Sequence, residues 1–169
     1  MVEIRFAQKQ DAAGINEIGN YYILNTPANF KVDALSLDDW QAWMDQFSET
    51  GRHRLLVAEE EGKILGYACS TTFHERCAYQ TSVATSIYLH PEACRKGLGT
   101  QLYTELFRIL EGEDLHRAYA GITLPNEGSV AIHKKFGFTE AGTFTEAGHK
   151  YGKYWDVLWM EKALSLPHK

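Results

Sequence analysis

The sequence predicts a single α/β domain over residues 1–169, a mixed sheet of about seven strands with helices on both faces. Three observations predict it. Runs of period-two alternation rich in β-branched and aromatic residues recur along the chain, apolar stripes of helical period lie between them, and no linker, repeat or low-complexity tract interrupts the order. The 169 residues can bury a core without disulfide or metal staples.

Val2, Ile4 and Phe6 alternate with Glu3 and Arg5, a short strand with one buried face. Asp11 is placed to cap a helix with Ile15, Ile18, Tyr22 and Ile23 on one side. The stretch from Asn25 to Phe30 breaks that helix. Phe30 has no periodic pattern to bury it, so it is either a loop anchor or part of a binding wall. Ser36 with Asp39 reads as a capping box, with Leu35 and Trp40 as the hydrophobic staple, for a helix reaching about Phe47.

Leu55 to Glu59 and Ile64 to Thr71 form a hairpin around Glu61-Gly62. An irregular segment from Phe73 to Tyr79 follows. Val83, Thr85, Ile87 and Leu89 then alternate with Ser82, Ala84, Ser86 and Tyr88 in a strand that Pro91 ends. Arg95-Lys96-Gly97-Leu98-Gly99 opens a helix whose stripe is Leu98, Leu102, Leu106, Ile109 and Leu110. Arg117 to Thr123 is a further strand. Asn126 or Ser129 caps a short helix bearing Val130, Ile132, His133 and Phe136, which stops at Gly137. Phe138 to Phe144 and Tyr154 to Met160 are the last strands, joined by a loop from Ala147 to Lys153. The order is β-α-α-β-β-β-α-β-α-β-β.

A net charge of -5 with no basic stripe argues against a nucleic-acid surface. No apolar run approaches the ~18 residues of a membrane span. Cys69, Cys77 and Cys94 are odd in number without C-x-x-C spacing, and no secretory apolar core precedes the first helix, which reads as free thiols in a reducing cytoplasm. The seven histidines lack H-x-x-x-H spacing, so no metal site is expected. The strongest chemical signal is the glycine-rich loop entering a helix. Gly97 and Gly99 let a backbone come close, and the first helical N–H groups have no internal partner. The helix dipole favours an anion there, which makes this a phosphate cradle. Arg95 and Lys96 add positive charge.

Three features coincide in order: the strand end Ser86-Ile87-Tyr88-Leu89, the run Cys94-Arg95-Lys96-Gly97-Leu98-Gly99, and the run from Asn126 to Phe138 with Ser129 and Gly137-Phe138. The set resembles the acetyl-CoA signature of the GNAT superfamily of N-acetyltransferases, R/Q-x-x-G-x-G/A, then N-x-x-S/A, then G-F/Y. The resemblance narrows to the phosphinothricin N-acetyltransferase branch and spans Ile4 to Lys162. Tyr21-Tyr22-Ile23 with Asn29-Phe30 looks like that branch's substrate loop, and Phe73-His74-Glu75-Arg76-Cys77-Ala78-Tyr79 like its aromatic-x-x-R-x-A-Y segment. Gly148-His149-Lys150-Tyr151-Gly152 looks like its terminal G-x-K-x-G signature.

The resemblance implies transfer of an acetyl group from acetyl-CoA to the primary amine of a small amino acid or analogue, such as phosphinothricin or methionine sulfoximine. It implies splayed strands at Ile87 and Tyr119, with pantetheine entering as a missing strand against the backbone of Ile87, Tyr88 and Leu89. The pyrophosphate would lie on the amides of Arg95, Lys96, Gly97, Leu98, Gly99 and Thr100, and the Asn126 side chain on pantetheine. The branch commonly forms homodimers. Tyr151, Tyr154, Trp155 and Trp159 are material for that interface or for the core.

One departure matters most. The branch places a glutamate general base in V-E-x-S/T-V/I-Y, and here Val83-Ala84-Thr85-Ser86-Ile87-Tyr88 puts Ala84 there. An alkylamine of pKa near ~10 must lose a proton before it attacks. Ordered water held by carbonyls and hydroxyls such as that of Ser86, or another side chain, would take it. Two other readings stay open: an acetyl-CoA-binding protein with little catalysis, and an acetyltransferase for another amine such as a polyamine, which Arg76 disfavours.

His133 stands where most members carry a tyrosine that protonates the leaving thiolate; otherwise it is a helix histidine packed beside Phe136. Arg76 and Tyr79 are a carboxylate clamp, or a solvated charge and a core aromatic. His149 and Lys150 meet substrate, a partner subunit or only solvent. Cys94 takes the R/Q position, tolerable where backbone makes the cradle and Arg95 supplies charge, with a reactive thiol as the alternative.

Overall fold

The computed structural model of the chain describes residues 1–93 and 97–164, so the readings made on Cys94, Arg95 and Lys96 fall outside the described residues. Its elements are β1 (Glu3–Phe6), α1 (Ala12–Asn25), α2 (Leu37–Met44), β2 (Arg54–Glu60), β3 (Lys63–Thr72), β4 (Ser82–Leu89), α3 (Leu98–Leu110), β5 (Arg117–Thr123), α4 (Glu127–Lys135), β6 (Thr139–Lys150) and β7 (Lys153–Ala163). The seven strands form one sheet in the order β1-β2-β3-β4-β5-β7-β6. Every pairing is antiparallel except β4 with β5.

The sheet is covered on both sides. One core gathers Leu102, Tyr103, Leu106 and Leu110 of α3 against Leu56, Ala68, Val83 and Ala118; the other gathers Ile15, Ile18 and Ile23 of α1 with Trp40 of α2 against Leu55, Val57 and Tyr67. β2 is therefore buried continuously from Arg54 to Ala58, as a strand with two covered faces must be. The Glu61-Gly62 turn has both residues at positive φ, 52° and 82°, which suits a tight two-residue hairpin.

Three local expectations need correction. Asp11 does not cap α1 with its side chain. Its carboxylate binds Arg5 at 2.7 and 2.9 Å and accepts the Gln8 N–H at 2.7 Å, closing a 3-10 turn ahead of the helix. The capping box of Ser36 and Asp39 is present, but α2 ends at Met44, and Phe47 folds back onto the Trp43 ring at 4.7 Å. The last loop is only the turn Tyr151-Gly152, with φ of 55° and 71°; the residues from Ala147 to Lys150 belong to β6. Register shifts at Glu140/Gly142 and Phe144/Gly148 had hidden the strand's period.

The feature that positions the site is the short ladder between β4 and β5. Register covers only Ser82 with Arg117, Val83 with Ala118 and Ala84 with Tyr119, after which the two strands part.

Candidate active site

Strand alternation decides which backbone groups face the gap. The His90 N–H donates to Leu65 O at 2.8 Å, so His90, Tyr88 and Ser86 turn their backbone groups toward β3, and Leu89 and Ile87 turn theirs away from it. On the other strand the Leu124 N–H donates to Asp156 O at 2.9 Å, which leaves the backbone of Thr123 and Gly121 facing β4. Between them lies a cavity of about 400 Å³, walled also by Asn126, Ser129, Ile132 and His133. Of the three residues expected to pair with a ligand, Ile87 and Leu89 have backbone groups in the gap. Tyr88 lines the cavity, but its backbone belongs to the β3 ladder opposite Tyr67. Where the ladder stops, the Thr85 hydroxyl donates to Tyr119 O at 3.4 Å, satisfying a carbonyl at the branch point.

The N-terminus of α3 opens beside this gap. Gly97 is its N-cap with φ of 75°, and a Cβ there would meet nothing within 4 Å, so glycine serves the left-handed backbone. Gly99 serves something else. A Cβ on it would come within 2.9 Å of Ile132 Cδ1, so its absence lets α3 approach α4 as well as opening the cavity wall. The Leu98 side chain is buried in the core, leaving only its backbone to a ligand. Lys135 Nζ donates to Thr100 Oγ1 at 3.1 Å and brings a cation to this helix end, a residue the sequence reading did not single out.

α4 supplies the polar wall. Asn126 caps it, its Oδ1 accepting the Ser129 N–H at 3.1 Å, which leaves the side-chain NH2 for a ligand. His133 Nδ1 lies 2.7 Å from Ser129 O, and Nε2 lies 2.9 Å from the Tyr103 hydroxyl. A carbonyl only accepts, so Nδ1 carries the proton, and in the neutral ring Nε2 accepts from Tyr103. Burial pushes the His133 pKa below its usual value, keeping the ring neutral, and pushes the Tyr103 phenol far above its own. His133 is the only imidazole among the described residues lining the cavity, and no carboxylate is among them.

On the opposite side of β4, Ala84 sits between its register partners Thr71 and Tyr119. β3 and β5 flank β4 roughly 10 Å apart. The rings of Phe73 and Tyr119, stacked at 4.0 Å and 16°, therefore meet above β4 over the stretch that carries Ala84. Trp159 adds a third ring 5.9 Å from Phe73, and its Nε1 is buried with no hydrogen-bond partner among the described residues.

Residues 4–159 match the family described as Acetyltransferase (GNAT) domain. The chain belongs to the GNAT acetyltransferase family. This GNAT acetyltransferase is 42% identical over 165 residues to a phosphinothricin N-acetyltransferase of Streptomyces coelicolor, covering 96% of each chain. It is 33% identical over 161 residues to an L-methionine sulfoximine/L-methionine sulfone acetyltransferase of Salmonella typhimurium, covering 95% of this chain and 94% of the relative. Among solved structures it superposes with a TM-score of 0.89 on a GNAT superfamily phosphinothricin acetyltransferase from Sinorhizobium meliloti in complex with acetyl-CoA. That pair shares 30% identity over 97% of this chain and 89% of that one.

The remaining candidate residues of the GNAT domain fall outside the cavity wall. Arg76 is exposed, and its guanidinium makes no ion pair with a described residue. Tyr79 packs on Phe73 at 5.8 Å and on His74 at 4.7 Å, which ties this segment to the aromatic stack. His149 is exposed beside the Tyr154 ring at 4.8 Å. Phe30 lies on Gly148, where a Cβ would come within 2.1 Å of its ring, so Phe30 is a loop anchor and stands next to the wall formed by Tyr22 and Ala28. The Tyr22 hydroxyl donates to Leu89 O at 2.9 Å, joining that loop to the gap.

Proposed function

We propose that this enzyme acetylates the primary amine of a small amino acid or amino-acid analogue, with acetyl-CoA as the donor. The observation that carries the reading is the β4–β5 ladder that stops at Ala84 and Tyr119 and leaves the backbone of Ile87, Leu89, Gly121 and Thr123 facing one cavity. An extended chain with amides, such as pantetheine, matches those groups as a strand would. Its phosphates would then lie at Gly97 to Thr100, with Lys135 close by. The names of the relatives favour phosphinothricin and methionine sulfoximine as models of the acceptor. Arg76 offers a free fork to an acceptor carboxylate.

In this reading the neutral amine attacks the thioester carbonyl, the Leu89 N–H steadies the oxyanion, and the carbon–sulfur bond breaks to leave CoA. The proton lost by nitrogen ends on sulfur. A thiol of pKa near ~8.5 leaves readily, so a donor to it is an aid and not a requirement. His133 is the candidate for that role, but both its ring nitrogens are engaged, Nδ1–H with Ser129 O and Nε2 with the Tyr103 hydroxyl, so it hands a proton to sulfur only after one of these bonds opens. With no carboxylate on the wall, the ammonium form of the acceptor loses its proton to water held by Ser86 and the nearby carbonyls.

A second reading, acetyl-CoA binding with little turnover, is favoured by one observation: no carboxylate is among the described residues lining the cavity. Release of CoA on addition of amino acids, their analogues and a polyamine separates the two. Turnover on the amino-acid set supports acetyl transfer, and tight acetyl-CoA binding with no release on any amine supports the second.

A homodimer is part of the proposal. β6 is an edge strand exposed along most of its length, and Phe144, Tyr151 and Tyr154 stand in solvent on or beside it. Sedimentation at micromolar concentration tests it. A cytoplasmic location rests on the free thiols of Cys69 and Cys77.

A further inference from the structure

Lys150 is 3% exposed, and acetyl transfer as described makes no use of it. Its Nζ donates to three backbone carbonyls, Ile23 O at 2.5 Å, Asn29 O at 2.6 Å and Thr26 O at 2.9 Å. A neutral amine has two N–H groups and an ammonium has three, so three acceptors hold the charged form. No carboxylate pairs with it among the described residues. The charge is met by dipoles instead, and Ile23 O belongs to the last turn of α1, the negative end of that helix. The Tyr151 ring lies 5.1 Å from Nζ, and its hydroxyl donates to Ile23 O and Thr26 O at 3.4 Å each.

All three carbonyls lie on the end of α1 and the loop after it, a segment that leads directly to the cavity. Ala28 lines the cavity, and Phe30 rests on Gly148, two residues from Lys150 on β6. Hydrogen bonds within the loop are local: the Thr26 N–H and hydroxyl return to Tyr22 O, and the Ala28 and Lys31 amides are satisfied by the nearby side chains of Thr26 and Asn29. We propose that Lys150 is a positioning residue for the acceptor, an internal cation that fastens residues 23–30 to the end of β6 and so presets the wall that Tyr22 and Ala28 offer to the amine, with Phe30 anchoring the loop on Gly148. The acceptor part of this proposal rests on the acetyl-transfer reading; the fastening of the loop does not.

Two measurements on Lys150→Met and Lys150→Arg test it. In hydrogen exchange of the full chain, amides of residues 23–31 exchange about tenfold faster or more in K150M while those of α3 and β4 keep their wild-type rates. In steady-state kinetics the amine KM rises about tenfold or more and the acetyl-CoA KM stays within about twofold, a split that general destabilisation does not produce. K150R keeps the charge but not three convergent donors, and falls between wild type and K150M in both measurements. Unchanged exchange at residues 23–31 in both variants overturns the proposal, as does an equal rise across α3 and β4 in both. A wild-type protein that releases no CoA with any amine overturns the acetyl-transfer reading and the acceptor role together, while the exchange data still decide whether Lys150 fastens the loop.

Discussion

The Tyr103 hydroxyl donates to His133 Nε2 at 2.9 Å, and with Ser129 O holding the Nδ1 proton at 2.7 Å this bond leaves the neutral ring no free N–H. Position on the cavity wall and protonation state are thus separate questions for His133. The ring lies on the cavity wall, but both of its nitrogens are engaged.

His133→Phe is expected to lower kcat at saturating acetyl-CoA by about tenfold or more, below the upper range of acid catalysis because a thiolate is a fair leaving group. The acetyl-CoA KM changes little. Tyr103→Phe removes the donor to Nε2, leaves a buried acceptor unpaired and lowers stability by ~1–3 kcal/mol in denaturant unfolding. Unchanged turnover in His133→Phe takes His133 out of the chemistry.

The pH dependence of stability follows from the same burial. The folded pKa of His133 lies below the unfolded value of ~6.5 because burial disfavours the charged ring. Above ~6.5 both states are neutral and the histidine adds no slope. As pH falls below that value the unfolded chain takes up the proton first, so stability declines until the folded pKa is passed. Unfolding midpoints measured from pH 7.5 to 5 fall more steeply in wild type than in His133→Phe; equal slopes contradict this.

With no carboxylate among the described residues lining the cavity, kcat/KM is expected to follow the neutral fraction of the acceptor, rising about tenfold per pH unit well below the amine pKa of ~10. Ala84→Glu raises kcat/KM by about tenfold or more near pH 7, and the advantage shrinks as pH climbs. A wild-type profile already flat from pH 7 to 9 shows that another base is in place.

Gly148→Ala puts a Cβ against the Phe30 ring, 2.1 Å from its nearest atom, and the ring must leave. The expected result is an amine KM raised severalfold with acetyl-CoA binding unchanged, measured by calorimetry for the donor and initial rates for the acceptor. Equal losses for both substrates would place Phe30 outside acceptor binding.

Much of this architecture was legible in the sequence. The order of the eleven main elements, the Ser36 capping box and the stop at Gly137 follow from local rules, and the structure has them; of the two caps open for α4, Asn126 and Ser129, it has Asn126. What stayed hidden depends on partners outside the element's own local pattern. Asp11 looked like a helix cap because Arg5 takes its carboxylate only once β1 and the following turn are folded. Tyr103 gave no signal at all, since its partner His133 is 30 residues away. Lys150 read as a loop residue for the same reason: its acceptors are carbonyls more than 120 residues earlier, and a carbonyl has no side-chain signature. Gly99 read as a phosphate glycine, whereas its missing Cβ also admits Ile132.

The most direct test of the account is CoA release by the wild-type protein with saturating acetyl-CoA and a panel of amino acids, phosphinothricin, methionine sulfoximine and a polyamine. The account predicts turnover on one or more members of the amino-acid set, rising with pH, and little on the polyamine. Tight acetyl-CoA binding without CoA release on any amine at any pH from 7 to 9 would contradict it.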